Sequence, residues 1–358
     1  MIDLSRRQIG ALGVMAAAGL TLPRAAWARV GPDSFAPLVK RVLPAVVNIG
    51  VTETVAGNDP LDGLPVEIQR ELRDRFRRSR RQIQGAGSGF IIDPSGVIVS
   101  NNHVVGAADR IMVSLADGTE LPAKLIGTDD LTDIAVIKVN ASHPLPYVSW
   151  GDSSAMEVGD WVIAAGNPFG LGGSVTAGIV SARGRDIGAS AFDDYLQIDA
   201  PINPGNSGGP VFNADGEVVG VNTAIVSPNG GGSVGIGFAV PSELASRIAS
   251  ELRLHGRIER GWLGVSVQDL PGSDSGQAKQ AGVAIAGVDR SGPAARSGIR
   301  TGDVVLAVNG QPVETSRGLI RAVAAVTPGG TVSLSVRRQG RAMELSVTVG
   351  RRPANDQG

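Results

Sequence analysis

The chain has no cysteine. That excludes disulfide bridges and any thiolate metal site, so packing and hydrogen bonding must hold the fold together. Histidine is scarce too: there are three in 358 residues, and no His-Glu-x-x-His pattern occurs, so no zinc centre, other metal or cofactor is expected. The formal net charge of −1 gives no whole-chain field that would attract nucleic acid. Beyond the N-terminus no apolar run reaches the ~20 residues a membrane-spanning helix needs.

Glycine is abundant instead. Its 50 copies are about twice the usual ~7% share. Helices tolerate glycine poorly and turns use it, so with frequent Val and Ile the composition predicts a mostly β protein. The length suggests two or three domains with a sizeable core.

Residues 1–28 read as an export signal. Arg6 and Arg7 supply charge, residues 9–22 a short apolar stretch, and Ala26-Trp27-Ala28 a small-x-small cleavage site. The paired arginines resemble a twin-arginine signal. General secretion is the alternative route, and an uncleaved anchor is a third reading. The mature, exported protein would start near Arg29 and have no integral membrane segment.

Residues 44–49, 85–92, 97–99, 111–113, 120–126 and 134–139 read as strands, with a hairpin at Asp93-Pro94-Ser95-Gly96. Between them, apolar residues recur every four positions from Leu64 to Phe76, suggesting a short helix. The arginines at 70–81 around it read as a solvated insertion loop, with a partner or lipid contact as the alternative. Ser88, although flanked by glycines, reads as strand or turn.

The chemistry concentrates in Asn203-Pro204-Gly205-Asn206-Ser207-Gly208-Gly209-Pro210. A serine hydroxyl is a weak nucleophile. It needs a base and donors for the oxyanion formed on attack. A turn at Gly205 would let the N–H groups of Gly205 and Ser207 converge on one oxygen, and Gly208 and Gly209 would leave room for a substrate strand. His103, just after an apolar strand, is the candidate base. His143 sits in a loop and His255 ends a helical pattern. Asp133 borders the apolar run Ile134-Ala135-Val136-Ile137, where a carboxylate needs a partner such as a histidine N–H. The order His103, Asp133, Ser207 is that of a chymotrypsin-like double β-barrel. An α/β-hydrolase would need a helix after the serine, but residues 211–221 read as a hairpin.

Asn101-Asn102-His103-Val104-Val105, Thr132-Asp133-Ile134-Ala135-Val136, Gly166-Asn167-Pro168-Phe169-Gly170 and Gly205-Asn206-Ser207-Gly208-Gly209-Pro210 resemble the HtrA/DegP family of serine proteases. The resemblance runs from about Ser34 to the C-terminus. It implies that Ser207 attacks, His103 acts as base and then acid, and Asp133 orients His103. The amides of Gly205, Asn206 and Ser207 would line the oxyanion hole, and residues 167–172 would form a mobile loop controlling assembly of the site. It also implies a pocket lined by Ile202, Ala224 and Ile225, hence cleavage after small aliphatic residues, unless these residues only fill the barrel core.

Residues 241–254 show helical periodicity, and a second β-rich block follows from Arg260. Its strands are expected at 283–288, 304–308, 332–337 and 345–349, with a helix at 316–326. Ser291-Gly292-Pro293-Ala294 and Gly302-Asp303-Val304-Val305 resemble a PDZ domain, in which a peptide adds a strand to an open sheet edge. Leu263, Gly264 and Val265 would bind its C-terminal carboxylate. A β domain that only packs on the first is the alternative. The expected layout is signal 1–28, protease 34–255, PDZ 258–350 and a frayed tail 351–358. The expected function is periplasmic, ATP-independent degradation of unfolded or misfolded proteins. The alternative is a chaperone or peptide sensor with proteolysis secondary. By resemblance the assembly would be a homotrimer or a multiple of one, with residues 34–37 near the contact.

Overall fold

A computed structural model describes residues 32–55, 81–167, 173–225, 232–270 and 282–352, without the side chains of 54, 55 and 81–84. The expected export segment, the arginine-rich insertion up to residue 80, and residues 168–172 lie outside the described residues. Residues 36–358 form one unit, which contains every element described below.

A short helix α1 (Ala36–Val42) leads into two six-stranded closed barrels. The first uses β1 (Val46–Val55), β2 (Arg81–Asp93), β3 (Val97–Asn101), β4 (Arg110–Ser114), β5 (Glu120–Asp129) and β6 (Ile134–Val139), ordered β1-β2-β3-β6-β5-β4. The second uses β7 (Trp161–Gly166), β8 (Ser174–Arg185), β9 (Tyr195–Ile198), β10 (Pro210–Phe212), β11 (Val218–Ile225) and β12 (Gly237–Pro241), ordered β10-β11-β12-β9-β8-β7. The fold is therefore mostly β, a double barrel of chymotrypsin type. Apolar runs buried on both faces, such as residues 97–99 and 134–137, form its cores.

The hairpin at 93–96 forms as expected, closed by the Gly96 N–H bond to the Asp93 carbonyl, 2.9 Å. The Asp93 carboxyl is held down to about 2, chiefly by hydrogen bonds from the Ser95 side chain and N–H. A single-turn helix α2 (Asn102–Val105) follows β3. The expected helix after β12 is α3 (Ser242–His255), with Ala245, Ile248, Ala249 and Leu252 on its buried face. It packs on both barrels, against β5, β6 and β11.

The second domain begins with β13 (Gly261–Trp262) and β14 (Val265–Asp269), and continues with β15 (Val283–Val288), helix α4 (Pro293–Arg296), β16 (Val304–Val308), β17 (Gln311–Pro312), helix α5 (Ser316–Ala324), β18 (Thr331–Arg338), β19 (Arg341–Thr348) and β20 (Gly350–Arg351). The main sheet runs β14-β15-β16-β18-β19, which leaves β14 at an edge. The expected tail at 351–358 starts too early. Arg351 pairs with Gly261 across β20 and β13, and its guanidinium meets Glu259 at 2.7 Å.

One buried charge pair organises this domain. Asp303 is 1% exposed and accepts bonds from Arg338 Nε and Nη2 at 2.6 and 2.7 Å and from Arg300 N–H at 2.8 Å. Burial alone would raise its carboxyl, but the bonds from Arg338 and the Arg300 N–H outweigh that and lower it. A carboxylate depressed in the folded state stabilises fully above its unfolded value of about 4 and loses that contribution as pH falls through the folded value. Asp303→Asn should therefore destabilise the domain at pH 7 and flatten its stability loss below about pH 4, as read by thermal melts between pH 2 and 7. A variant as acid-sensitive as the wild type would contradict this.

Candidate active site

His103 lies on α2 and Asp133 in the turn between β5 and β6. Asp133 takes a left-handed backbone, φ 55°, and its carbonyl accepts from Asn102 N–H at 3.0 Å and Asn101 Nδ2 at 2.8 Å. These bonds fix the main chain from which the carboxylate projects. Its Oδ2 meets His103 Nδ1 at 2.6 Å and its Oδ1 accepts the His103 backbone N–H at 2.9 Å. A carboxylate oxygen only accepts, so this contact assigns the proton to Nδ1 and leaves Nε2 as the basic nitrogen. The His103 side chain is 48% exposed and that of Asp133 20%, so the ring faces the cleft while its partner lies behind it.

Ser207 shares with His103 a cavity of about 320 Å³. Among the described residues no hydrogen bond joins its Oγ to the ring. The loop that presents it is tightly held. Gly208 N–H donates to Asn222 O at 2.8 Å, and Asn222 N–H to Gly209 O at 2.9 Å, tying the loop to β11. The two glycines do not make room for a substrate, as the sequence suggested. A Cβ on Gly208 would lie 2.3 Å from Ser88 O, and one on Gly209 2.2 Å from Ala165 O. They let the loop press against the protein's own backbone.

The expected three-amide oxyanion hole needs correction. Asn206 N–H closes a turn onto Asn203 O at 3.0 Å and so faces away from the cleft. The N–H groups of Gly205, at φ 98°, and of Ser207 have no acceptor among the described residues, so those two are available.

Sequence reading missed Ser88. It is fully buried and sits behind the nucleophile loop. Its N–H donates to Ser207 O at 2.8 Å, its hydroxyl donates to Gly205 O at 2.6 Å, and the same oxygen accepts Asn167 N–H at 2.8 Å. The Ser88 hydroxyl thus clamps the Gly205 peptide and joins it to Asn167, the first residue of the expected control loop, while the Ser88 main chain holds the Ser207 carbonyl. The only sequence signal was a serine between glycines on a strand. Ser88→Ala leaves two buried polar groups unpaired and loosens the amides. It should lower kcat by about 10²-fold, the scale of one lost oxyanion donor, with KM nearly unchanged. Steady-state kinetics on a peptide substrate decide this, and a loss confined to KM would contradict it.

The expected acyl-side pocket residues lie in the second barrel. Ile202 is 2% exposed in the barrel core, and Ile225 packs partly on the same cluster. Ala224 sits on β11 just after the bulge at residues 222–224. None of the three lines the cavity of His103 and Ser207.

In the second domain Gly264 has φ 76°, and the N–H groups of Leu263 and Gly264 have no acceptor among the described residues. They flank the start of the edge strand β14, where Val265 begins its pairing with β15. Helix α5 lies beside β14 and is capped by Thr315 at its start. Arg317 of α5 pairs with Asp186 and Asp193 and donates to Ser190 O; Arg321 donates to Ala191 O at 2.6 Å and Asp193 O at 2.5 Å. All five acceptors lie in the loop between β8 and β9. In that loop Ser190 Oγ donates to Leu131 O at 2.5 Å, two residues from Asp133. Arg260, at the domain junction, stacks on Phe192 at 4.7 Å and pairs with Asp129, which is 3% exposed and four residues before Asp133. Tyr195, at the loop's end, has its phenol pushed up to about 12, first by burial and then by the charges of Asp193 and Asp133.

The sequence profile described as "Trypsin-like peptidase domain" matches residues 87–221, and that described as "PDZ domain" matches residues 261–349. A protein of Brucella suis named "Probable periplasmic serine endoprotease DegP-like" is 46% identical over 359 residues, an alignment covering 90% of this chain and 70% of the relative. One of the same name in Rhizobium meliloti is 43% identical, covering 90% and 70%. Among solved structures, "HtrA-type protease AlgW with decapeptide" superposes with a TM-score of 0.75 at 40% identity, covering 89% of this chain and 99% of that one. "Crystal structure of the serine endoprotease from Yersinia pestis" gives a TM-score of 0.70 at 33% identity, covering 90% and 100%.

Proposed function

Because the chain belongs to the HtrA/DegP-like family of serine endoproteases, we propose that it cuts unfolded or misfolded proteins in the periplasm with Ser207, His103 and Asp133, under control of its PDZ domain. The observation that carries the reading is the Asp133–His103 pair facing one cavity with Ser207, together with the Gly205 and Ser207 amides, which have no acceptor among the described residues. In the first step His103 Nε2 takes the Ser207 proton as Oγ attacks the carbonyl. The N–H groups of Gly205 and Ser207 hold the oxyanion, and the imidazolium, held by Asp133, protonates the leaving amine. Water, activated by the same ring, then releases the acyl group.

The open edge of β14 and the free amides at residues 263–264 suit an extended peptide with a C-terminal carboxylate. The contacts from α5 through the 186–194 loop to Leu131 give that peptide a physical route toward Asp133. Relatives named periplasmic support the compartment, and export by either the twin-arginine or the general route fits the N-terminal segment. The family likeness supports a homotrimer or a multiple of one, which analytical ultracentrifugation would read.

The test is casein degradation by the mature chain, with and without hydrophobic C-terminal peptides. The reading expects cleavage that rises with peptide. Peptide binding without any effect on cleavage would remove the regulatory part, and absence of cleavage under both conditions would remove the whole.

A further inference from the structure

The cavity of His103 and Ser207 holds one charged group that hydrolysis leaves unused. Its other walls include Val51, Gly85, Ala86, Val104 and Ala107, all small or apolar, and among them stands a single carboxylate, Glu53. Glu53 follows Val51 by two residues on β1, so both side chains lie on the cleft face of the strand. Thr52 between them faces the other way, opposite Arg110 of β4, so that arginine belongs to the opposite face. Glu53 is partly buried, and among the described residues it makes no hydrogen bond and no ion pair. A half-desolvated carboxylate without a partner is unfavourable by itself, and an arriving cation gains what the protein leaves unpaired.

The side of the scissile bond follows from the chemistry. His103 hands its proton to the leaving nitrogen, so the leaving segment lies against the ring. Apart from the nucleophile loop, the cavity walls come from the first barrel: β1, β2 and the segment after β3. The acyl-side candidates Ile202, Ala224 and Ile225 belong to the second barrel and stand outside it. The cavity therefore receives the residues on the leaving side, and at about 320 Å³ it has the volume of a small-ligand site.

We infer that Glu53 selects substrates carrying lysine or arginine at the first or second position on the leaving side of the cut bond. The methylene stem lies along Val51 and Ala107 while the cationic head meets the carboxylate. This deepens the peptidase reading above and rests on it.

The experiment uses quenched-fluorescent peptides identical except at those two positions, where lysine, arginine, norleucine or glutamate is placed. The full mature chain is compared with Glu53→Gln and Glu53→Lys. What is read is the ratio of kcat/KM for lysine over norleucine within each protein. It should be about fivefold to tenfold in the wild type at low salt, the scale of a partly buried ion pair, and shrink as salt rises. It should fall to near one in Glu53→Gln, and Glu53→Lys should favour glutamate. A wild-type ratio of one, or a preference that survives Glu53→Gln, overturns the inference. Fluorophosphonate labelling run in parallel separates the two levels. Labelling and cleavage without preference remove the Glu53 inference alone, whereas a chain that neither labels nor cleaves removes the peptidase reading and this inference with it.

Discussion

Ser207→Ala should abolish casein degradation, lowering turnover by on the order of 10⁶, because the triad acts as a unit and loses nearly all of its effect with the nucleophile. What remains comes from the two oxyanion amides and from binding. The structure makes the substitution clean. Ser207 is held by its main chain, through its carbonyl to Ser88 N–H, so alanine leaves the loop in place. Fluorophosphonate labelling should vanish in step with casein loss. The same variant separates the protease from the rival reading of a chaperone. Suppression of client aggregation that persists in Ser207→Ala shows a holding activity independent of proteolysis, and a variant that still degrades casein would place the nucleophile elsewhere.

Asp133→Asn should cost on the order of 10⁴ in kcat with little loss of stability. Asparagine tolerates the left-handed backbone at φ 55°, and the bonds from Asn101 and Asn102 go to the main-chain carbonyl, which the change does not touch. The amide oxygen still suits the His103 backbone N–H now held at 2.9 Å by Oδ1. The NH₂ then faces Nδ1, which must become the acceptor. The ring proton moves to Nε2, and the base that should take the Ser207 proton is already protonated. Equal melting temperatures with a collapsed kcat would confirm the tautomer argument. A variant within tenfold of the wild type would mean that Asp133 only supports the fold.

Much of this was legible in the chain. Period-two and continuous apolar runs marked the first barrel and most of the PDZ strands, because each such run must bury both faces or one face in order. Strands at 161–166, 174–185 and 195–198 were not read. In 174–185 the glycines, threonine and charged residues, as in Ala177-Gly178 and Arg183-Gly184-Arg185, dilute the pattern; 161–166 and 195–198 are short, mostly apolar runs whose type periodicity alone leaves open, and closure of the barrel supplies what local preference does not.

By itself the sequence picked out the proposed reacting set: a serine among glycines, one histidine after a strand, one aspartate before an apolar run, and their order. Those are properties of residue type and spacing, and they survive any detail of packing. Only the tertiary structure decided which amides are free, since the turn onto Asn203 removes Asn206. It alone revealed Ser88 as the clamp between Asn167 and the oxyanion loop, and brought Glu53 from the first strand to the cavity of Ser207. The Ser88 and Glu53 arrangements join groups 79 to 154 positions apart: Ser88 meets Asn167 and Gly205 at hydrogen-bond distance, and Glu53 shares a cavity with Ser207. Separations of that kind leave no local pattern in the chain.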